Sequence, residues 1–342
     1  MVYNIRAESA SEALFLAKSA LIKNAVKRDT RAGLVLEFPE PVITTYTKPR
    51  ERVIFYPERD ANPFFHLMET MWMLDGRNDV AFVQEFNSRI QQYSDNGDTF
   101  HGAYGHRWRN YFGKDQLKLA IHRLNIYPND RRTVVSMWDA YSDLKETNEN
   151  KDLPCNTHIY FQKRDGVLDM TVCNRSNDMI WGCYGANVVH MSFLLEYMAS
   201  MTGSKIGQYI QFSNNLHAYV DQFDKIKKMG ADYEPYLDID SKNGRYDPVH
   251  LVNSPQSFDQ ELHSWITEEH ESCPRFNNTF ICYTAEPTRK SWREWKKGNI
   301  DNALSIAKTI GSLDWRMACT TKEVILYFLM FCKTYAKLIT ML

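Results

Sequence analysis

Arg175, Ser176, Asp178 and Asn187 stand close together in one stretch, Cys173 to Asn187, between a strand-like run at Val167–Val172 and a long apolar helix predicted from about Val188 to Met201. A guanidinium, a hydroxyl, a carboxylate and an amide at the mouth of one pocket suit a planar, anionic, hydrogen-bonding ligand such as a nucleotide. The same groups could serve an ordinary solvated turn. What decides between the two is the remaining chemistry of the chain.

Cys155 follows Leu153-Pro154 at the entrance of a strand predicted over Thr157–Gln162. Proline fixes the backbone just ahead of it, which makes a rigid mount for a thiol, although most cysteines are small core residues. Glu69 lies in a helix predicted over Pro63–Leu74 that is apolar apart from His66, Glu69 and Thr70. A carboxylate there is costly to bury unless it has a partner or a task. Arg28 and Arg31 sit in a basic, glycine-bearing loop, Lys27 to Gly33, that could wrap a phosphate. Arg131 and Arg132 enter a strand at Thr133–Trp138 and point to opposite faces. His217 and Tyr219, two apart, suit one edge of a ligand better than a helix face, although the pattern predicts a helix opening at Asn214–Tyr219 and running to about Lys228.

The chain of 342 residues is 44% hydrophobic with a formal net charge of -1, enough to build a large core, and it has no basic stripe that would suit nucleic acid. Its seven cysteines are irregularly spaced and include no Cys-x-x-Cys pair. That argues against a zinc ribbon or a disulfide framework and for a reducing, cytoplasmic setting. No metal-ligand spacing is visible. The N-terminus lacks a signal-peptide core, and the apolar run Val324–Cys332 is too short to span a bilayer. Further helices are predicted at Ser9–Val26, Asp115–Leu124, Ser257–Glu268, Arg289–Lys297, Ile300–Ile310 and Thr321–Leu338, with loops at Asp139–Asp152 and Tyr233–Val249. A catalytic core over residues 1–230 and a mainly helical C-terminal part over 231–342 are expected.

Taken in order, the blocks Glu69-x-x-Trp72, Tyr104-Gly105-x-x-Trp108-Arg109, Asp115-Gln116-Leu117, Arg131-Arg132, Leu153-Pro154-Cys155, Arg175-Ser176-x-Asp178-x-x-x-Gly182 and His217-x-Tyr219 resemble the thymidylate synthase family, which includes the pyrimidine nucleotide hydroxymethylases. The resemblance runs from about Arg31 to Tyr219. It implies a three-layer α/β (α+β) fold that forms a homodimer through a large twisted mixed sheet. It implies a pyrimidine nucleoside monophosphate as substrate and 5,10-methylenetetrahydrofolate as one-carbon donor, with neither a membrane nor nucleic acid required. By position, Arg31, Arg175 and Ser176 would bind the phosphate, Arg131 and Arg132 the phosphate of the neighbouring subunit, and His217 and Tyr219 the ribose. Asn187 would read the base, and Asp178, Trp181 and Gly182 would line the folate cleft. Cys155, Glu69, Tyr104 and Asn156 would form the catalytic group. A Cys155 thiolate adding to carbon 6 would make carbon 5 nucleophilic, nearby arginines would favour the thiolate, and Glu69 would manage protons.

Departures from the family pattern cluster around the transferred carbon. Asn156 stands where a histidine usually follows the nucleophile. Phe86 to Phe100 lacks the usual tryptophan, and Tyr184-Gly185-Ala186-Asn187 replaces Pro-Phe-Asn with the asparagine one residue late. Loss of an aromatic shield favours water over hydride at that carbon, and so a hydroxymethyl product over a methyl one. The amide of Asn187 suits uracil, since it donates to O4 and accepts from N3–H. The reading is hydroxymethylation of dUMP. The alternatives are thymidylate synthesis, hydroxymethylation of dCMP or CMP, and a non-catalytic nucleotide- or RNA-binding protein.

Overall fold

The structure, a computed structural model, describes residues 2–30, 32–145, 150–230, 249–268 and 276–320. It divides into two units, Met1–Ile54 with Glu69–Asp232, and Phe55–Met68 with Tyr233–Leu342. The second unit therefore draws in a segment from the N-terminal half. Arg31, the Tyr233–Val249 loop up to residue 248 and the helix expected at Thr321–Leu338 lie outside the described residues.

The first unit is built on two sheets. Six strands form the larger one, in the order β1 (Tyr3–Ala7), β4 (Val42–Tyr46), β9 (Lys205–Ser213), β7 (Val167–Asn174), β6 (Asn156–Arg164) and β5 (Val134–Ser136). It is mixed: β1 runs parallel to β4 and β7 to β9, and the remaining pairs are antiparallel. The smaller sheet has the order β2 (Val26–Thr30), β3 (Gly33–Glu37), β10 (Leu216–Tyr219) and β8 (Asn177–Asp178).

Period-two alternation sorts the large sheet into two faces. Tyr209, Met170 and Phe161 are cross-strand neighbours and buried, as are Gln211, Val172 and Ile159. The helix Asn187–Met201 packs on this side, touching β7 and β9, and is buried around most of its circumference. The opposite face carries the cross-strand row Ile43, Phe212, Cys173 and His158, all half-buried. Beside it run Ile210, Thr171 and the exposed Tyr160.

Three expectations give way here, the third only in part. Lys27–Gly33 is not a loose loop. Its first part is β2, an exposed strand paired with β3, and Arg28 is ion-paired to Glu37. Nothing in Val26-Lys27-Arg28-Asp29-Thr30 alternates, so the pairing comes from the turn at Gly33, whose φ of 113° only glycine adopts readily. Nor does Asn214–Tyr219 open a helix. Leu216–Tyr219 is β10, with Leu216 and Ala218 buried, and the helix is Val220–Ile226. Within Asp139–Asp152 a short helix, Ala140–Asp143, interrupts the expected loop, and Asp139 caps its N-terminus.

The helix Tyr104–Arg109 is held from below by buried charge. Arg107 and Asp143 have fully buried side chains and form two parallel hydrogen bonds of 2.9 Å. Arg107 also donates to the Met137 carbonyl at 3.1 Å and lies over the Tyr111 ring. Arg109 reaches the Leu74 carbonyl, Asp115 and the Tyr197 hydroxyl. Gly105 lets the helix touch its neighbour: a Cβ there would fall 2.1 Å from the Met73 carbonyl oxygen. Arg107→Leu leaves the Asp143 carboxylate buried with one partner fewer and is expected to destabilise the fold by about 3–5 kcal/mol. Urea unfolding followed by tryptophan fluorescence checks this.

The second unit is helical over its described residues: Phe258–Thr267, Glu286–Lys296, Ile300–Ala307 and Leu313–Thr320, with a wide turn at Ile281–Ala285. Glu286 accepts from Trp265 and Arg289 at 2.7 Å each. Phe64, Trp292 and Trp295 form an aromatic cluster beside this polar knot. Among the described residues no helix is long and apolar enough to cross a membrane.

Candidate active site

One cavity of about 310 Å3 in the first unit gathers most of the chemistry-bearing residues. Its walls include Glu69, Tyr104, Cys155, Ser176, Asp178, Trp181, Gly182 and Asn187. They come from separate parts of the chain: the helix Pro63–Leu74, the helix Tyr104–Arg109, the lead-in to β6, and the segment from the end of β7 to the start of the helix Asn187–Met201.

The Cys155 loop is fastened by Arg175. The guanidinium donates to the Pro154 carbonyl at 3.0 Å and the Leu153 carbonyl at 3.1 Å, and one Nη lies 3.9 Å from Sγ. The Arg175 backbone N–H donates to the Cys155 carbonyl, and its guanidinium faces the Trp138 ring. Burial pushes the thiol above its ordinary value of 9.0. Arg175 pulls it down, while Asp152 and Asp178 push it up. The arginine is present as expected, yet desolvation outweighs it in the free protein. Thiolate rises with pH toward that raised value. Alkylation of Cys155 by iodoacetamide, followed by peptide mass mapping, is therefore expected to keep accelerating above pH 9.

Tyr104 also borders the thiol. Burial raises its phenol well above the ordinary range, with the backbone N–H groups of Asn156 and Cys155 acting in the opposite direction. It is a neutral hydroxyl at any working pH. Asn156 is fully buried at the start of β6, where its Oδ1 accepts from Asn174 Nδ2, and it does not line the cavity.

The late asparagine lines the cavity from just beyond a kink at Tyr184 and Gly185. Met179–Ala186 winds as a π-type turn, broken at Tyr184 and Gly185, and leads directly into the regular helix at Asn187. Asp178 starts it, its Oδ1 accepting from the Ile180 and Trp181 N–H groups at 2.7 and 2.6 Å. Asn187 Nδ2 then donates to Asn177 Oδ1 at 3.1 Å, and Asn177 Nδ2 donates to Ser213 Oγ at 3.1 Å. In this arrangement the Asn187 nitrogen faces Asn177. Asn177 reads in sequence as a mere spacer between Ser176 and Asp178, and only the fold reveals its role.

Gly182 is required by that pair. A Cβ on it would lie 2.9 Å from Asn177 Oδ1 and 3.2 Å from Asn187 Nδ2. Gly182→Ala is expected to displace the amides by a fraction of an ångström and lower kcat/KM by about 10–100-fold while leaving the melting temperature nearly unchanged. Steady-state kinetics beside a thermal melt check both halves.

His217 and Tyr219 share one face of β10, their rings 5.6 Å apart and edge to face. His217 pairs in register with Asp178 on one side and Glu37 on the other, and its Nδ1 contacts Asn215 Oδ1 at 2.8 Å. Burial lowers its pKa, and the two carboxylates oppose that. Arg131 and Arg132 are exposed and do not line this cavity, and Arg132 pairs with Asp130 at 3.2 Å. Trp72, Ile90, Tyr93 and Phe100 also line the cavity, together with Trp181 and Gly182. A flat heterocycle with N–H donors fits between such walls when a carboxylate such as Asp178 is at hand.

His190 is not visible in the sequence as a site residue. It sits three positions after Asn187, on the same helix face, and lines the cavity with Nε2 3.2 Å from Glu69 Oε2. In sequence it is one polar residue inside Val188-Val189-His190-Met191, which reads as core.

Residues 59–249 match the family model described as thymidylate synthase. The chain is 44% identical over 326 residues to the deoxyuridylate hydroxymethyltransferase of Pseudomonas phage M6, covering 92% of each chain. It is 37% identical over 193 residues to the deoxyuridylate hydroxymethyltransferase of Bacillus phage SP01, covering 54% of this chain and 50% of that one. A crystal structure of thymidylate synthase from T4 phage superposes with a TM-score of 0.53 at 22% identity, covering 65% of this chain and 80% of that one, which is a likeness of fold.

Proposed function

The chain belongs to the thymidylate synthase family, and on that premise we propose that it is a deoxyuridylate hydroxymethyltransferase, converting dUMP to 5-hydroxymethyl-dUMP. The observation that carries the reading is the meeting of Cys155, Glu69 and Asn187 in the lining of one cavity, in a chain similar along nearly its whole length to a deoxyuridylate hydroxymethyltransferase.

The roles follow from position. Asn187, held by Asn177 and Ser213, presents an N–H toward O4 and its oxygen toward N3–H of uracil. Cys155 adds to carbon 6 and gives a nucleophilic carbon 5. By the family resemblance, Arg175 and Ser176 hold the phosphate together with Arg31, which lies outside the described residues, and His217 with Tyr219 holds the sugar. Asp178, Trp181 and Gly182 hold 5,10-methylenetetrahydrofolate, which supplies the one-carbon unit when bound. Glu69 and Tyr104 carry protons at the ring, and Asn156 supports the loop from behind.

The homodimer belongs to the same proposal. The half-buried row Ile43, Phe212, Cys173 and His158 gives the large sheet a face fit to pack on its own copy. Arg131 and Arg132, exposed and outside the lining of their own cavity, then reach the partner's phosphate, Arg132 by leaving its surface pair with Asp130. The five described cysteines are free thiols, in keeping with a cytoplasmic setting.

The test is product analysis. Protein, dUMP and methylenetetrahydrofolate should yield a nucleotide heavier by one CH2O unit, with no rise in dihydrofolate absorbance. Formation of dTMP with dihydrofolate sinks the reading in favour of thymidylate synthesis.

A further inference from the structure

The hydroxymethyl product needs a water at the transferred carbon, and the proposed catalytic group accounts for none. His190 is the buried group in the cavity that still lacks a task. Its side chain is 3% exposed and that of Glu69 16% exposed, and their facing atoms are 3.2 Å apart. Neither His190 Nε2 nor Glu69 Oε2 makes a hydrogen bond of good geometry within the described residues. Two buried polar atoms, side by side on a cavity wall and short of partners, form a seat for one water molecule. The seat is well placed. Asn187 and His190 share a helix face, so a base whose O4 is held by Asn187 brings its carbon 5 substituent toward the Glu69–His190 pair.

We propose that His190 and Glu69 together hold the water that adds to the exocyclic carbon, and that His190 accepts its proton. This rests on the hydroxymethylase reading and extends it. After the one-carbon unit has moved to carbon 5 and its carrier has left, the ring bears an exocyclic C=C while carbon 6 is still bonded to Cys155. The water oxygen bonds to the exocyclic carbon as its proton passes to His190 Nε2. The π pair shifts to carbon 5 and O4 as an enolate. The enolate then re-forms C4=O and the ring C5=C6 bond as the C6–S bond breaks. The proton held by His190 returns to the departing sulfur. One water is consumed and nothing is oxidised or reduced.

The experiment separates the early steps from the late one. His190→Gln and His190→Asn are compared with the parent for three readouts: release of tritium from [5-3H]dUMP with methylenetetrahydrofolate, formation of 5-hydroxymethyl-dUMP, and formation of a thioether at the exocyclic carbon when 2-mercaptoethanol is added. A covalent complex with 5-fluoro-dUMP and methylenetetrahydrofolate reports an intact site. In a single turnover with protein in excess, the expected result is tritium release within about threefold of the parent, hydroxymethyl product forming about 100-fold more slowly, the scale of a lost general base, and a rise in thioether. Product at the parent rate overturns the proposal. So does a parallel fall of all three readouts with loss of the covalent complex, which makes His190 structural. A parent protein that yields dTMP and dihydrofolate defeats the underlying reading, an outcome distinct from both.

Discussion

Cys155→Ala is expected to abolish nucleotide turnover, by on the order of 10^4-fold or more, while the protein still folds and still binds dUMP. The size follows from the role: removing a covalent nucleophile removes the route and leaves only binding and polar stabilisation. Folding should survive because the Cys155 loop is fastened by its neighbours. Arg175 grips the Leu153 and Pro154 carbonyls, and its backbone N–H takes the Cys155 carbonyl. None of these contacts uses the sulfur except the long one at 3.9 Å. Losing Sγ removes one atom from a cavity wall, a small packing cost. The measurement is turnover by product chromatography, with dUMP binding by calorimetry and a thermal melt as controls. A variant that keeps measurable product at more than a hundredth of the parent rate removes the covalent mechanism.

The same geometry explains which parts of the site can be read from the chain alone. Arg175, Ser176 and Asp178 lie in one short block of chemically loaded residues that is hard to explain as packing, while Glu69 stands out as a carboxylate in an apolar helix and Cys155 as a thiol mounted behind a proline. Asn177 does not, because a lone amide between two functional residues carries no spacing signal. Its place in the Ser213–Asn177–Asn187 chain depends on β8 lying beside β10. His190 is hidden for the opposite reason: its neighbours are apolar, and a histidine in such a run usually packs. The helix Pro63–Leu74 is legible to the residue because an Asn-Pro entry and an Asp-Gly exit bound an apolar run. β2 and β10 escape a sequence reading because four- or five-residue strands are too short to show a period; β10 is decided by partners far along the chain, β3 and β8, and β2 by the turn at Gly33.

Asn187→Asp is expected to reverse base preference, moving the ratio of kcat/KM for dUMP over dCMP by about 10^3-fold or more toward dCMP. A site built on paired hydrogen bonds rejects a ligand that leaves those bonds unmade by large factors. Cytosine offers an amino group and a bare N3, so it needs an acceptor for the first and a donor for the second, which a protonated carboxyl provides and the fixed amide does not. Whether the new carboxyl can be held is a question about the groups behind it. Asn187 now donates to Asn177 Oδ1, and Asn177 donates to Ser213 Oγ. A carboxylate at 187 requires Asn177 to turn over and offer Nδ2 instead. Its Oδ1 then faces Ser213, whose hydroxyl can donate as well as accept. Every link of the chain is reversible, so the substitution costs one amide rotation and strands no buried donor. The double variant Asn187→Asp with Ser213→Ala should lose the dCMP activity that the single variant gains, because the turned Asn177 oxygen then has no donor. Side-by-side kinetics on the two nucleotides measure this. If the single variant turns over neither base while folding normally, the amide chain does not set base choice.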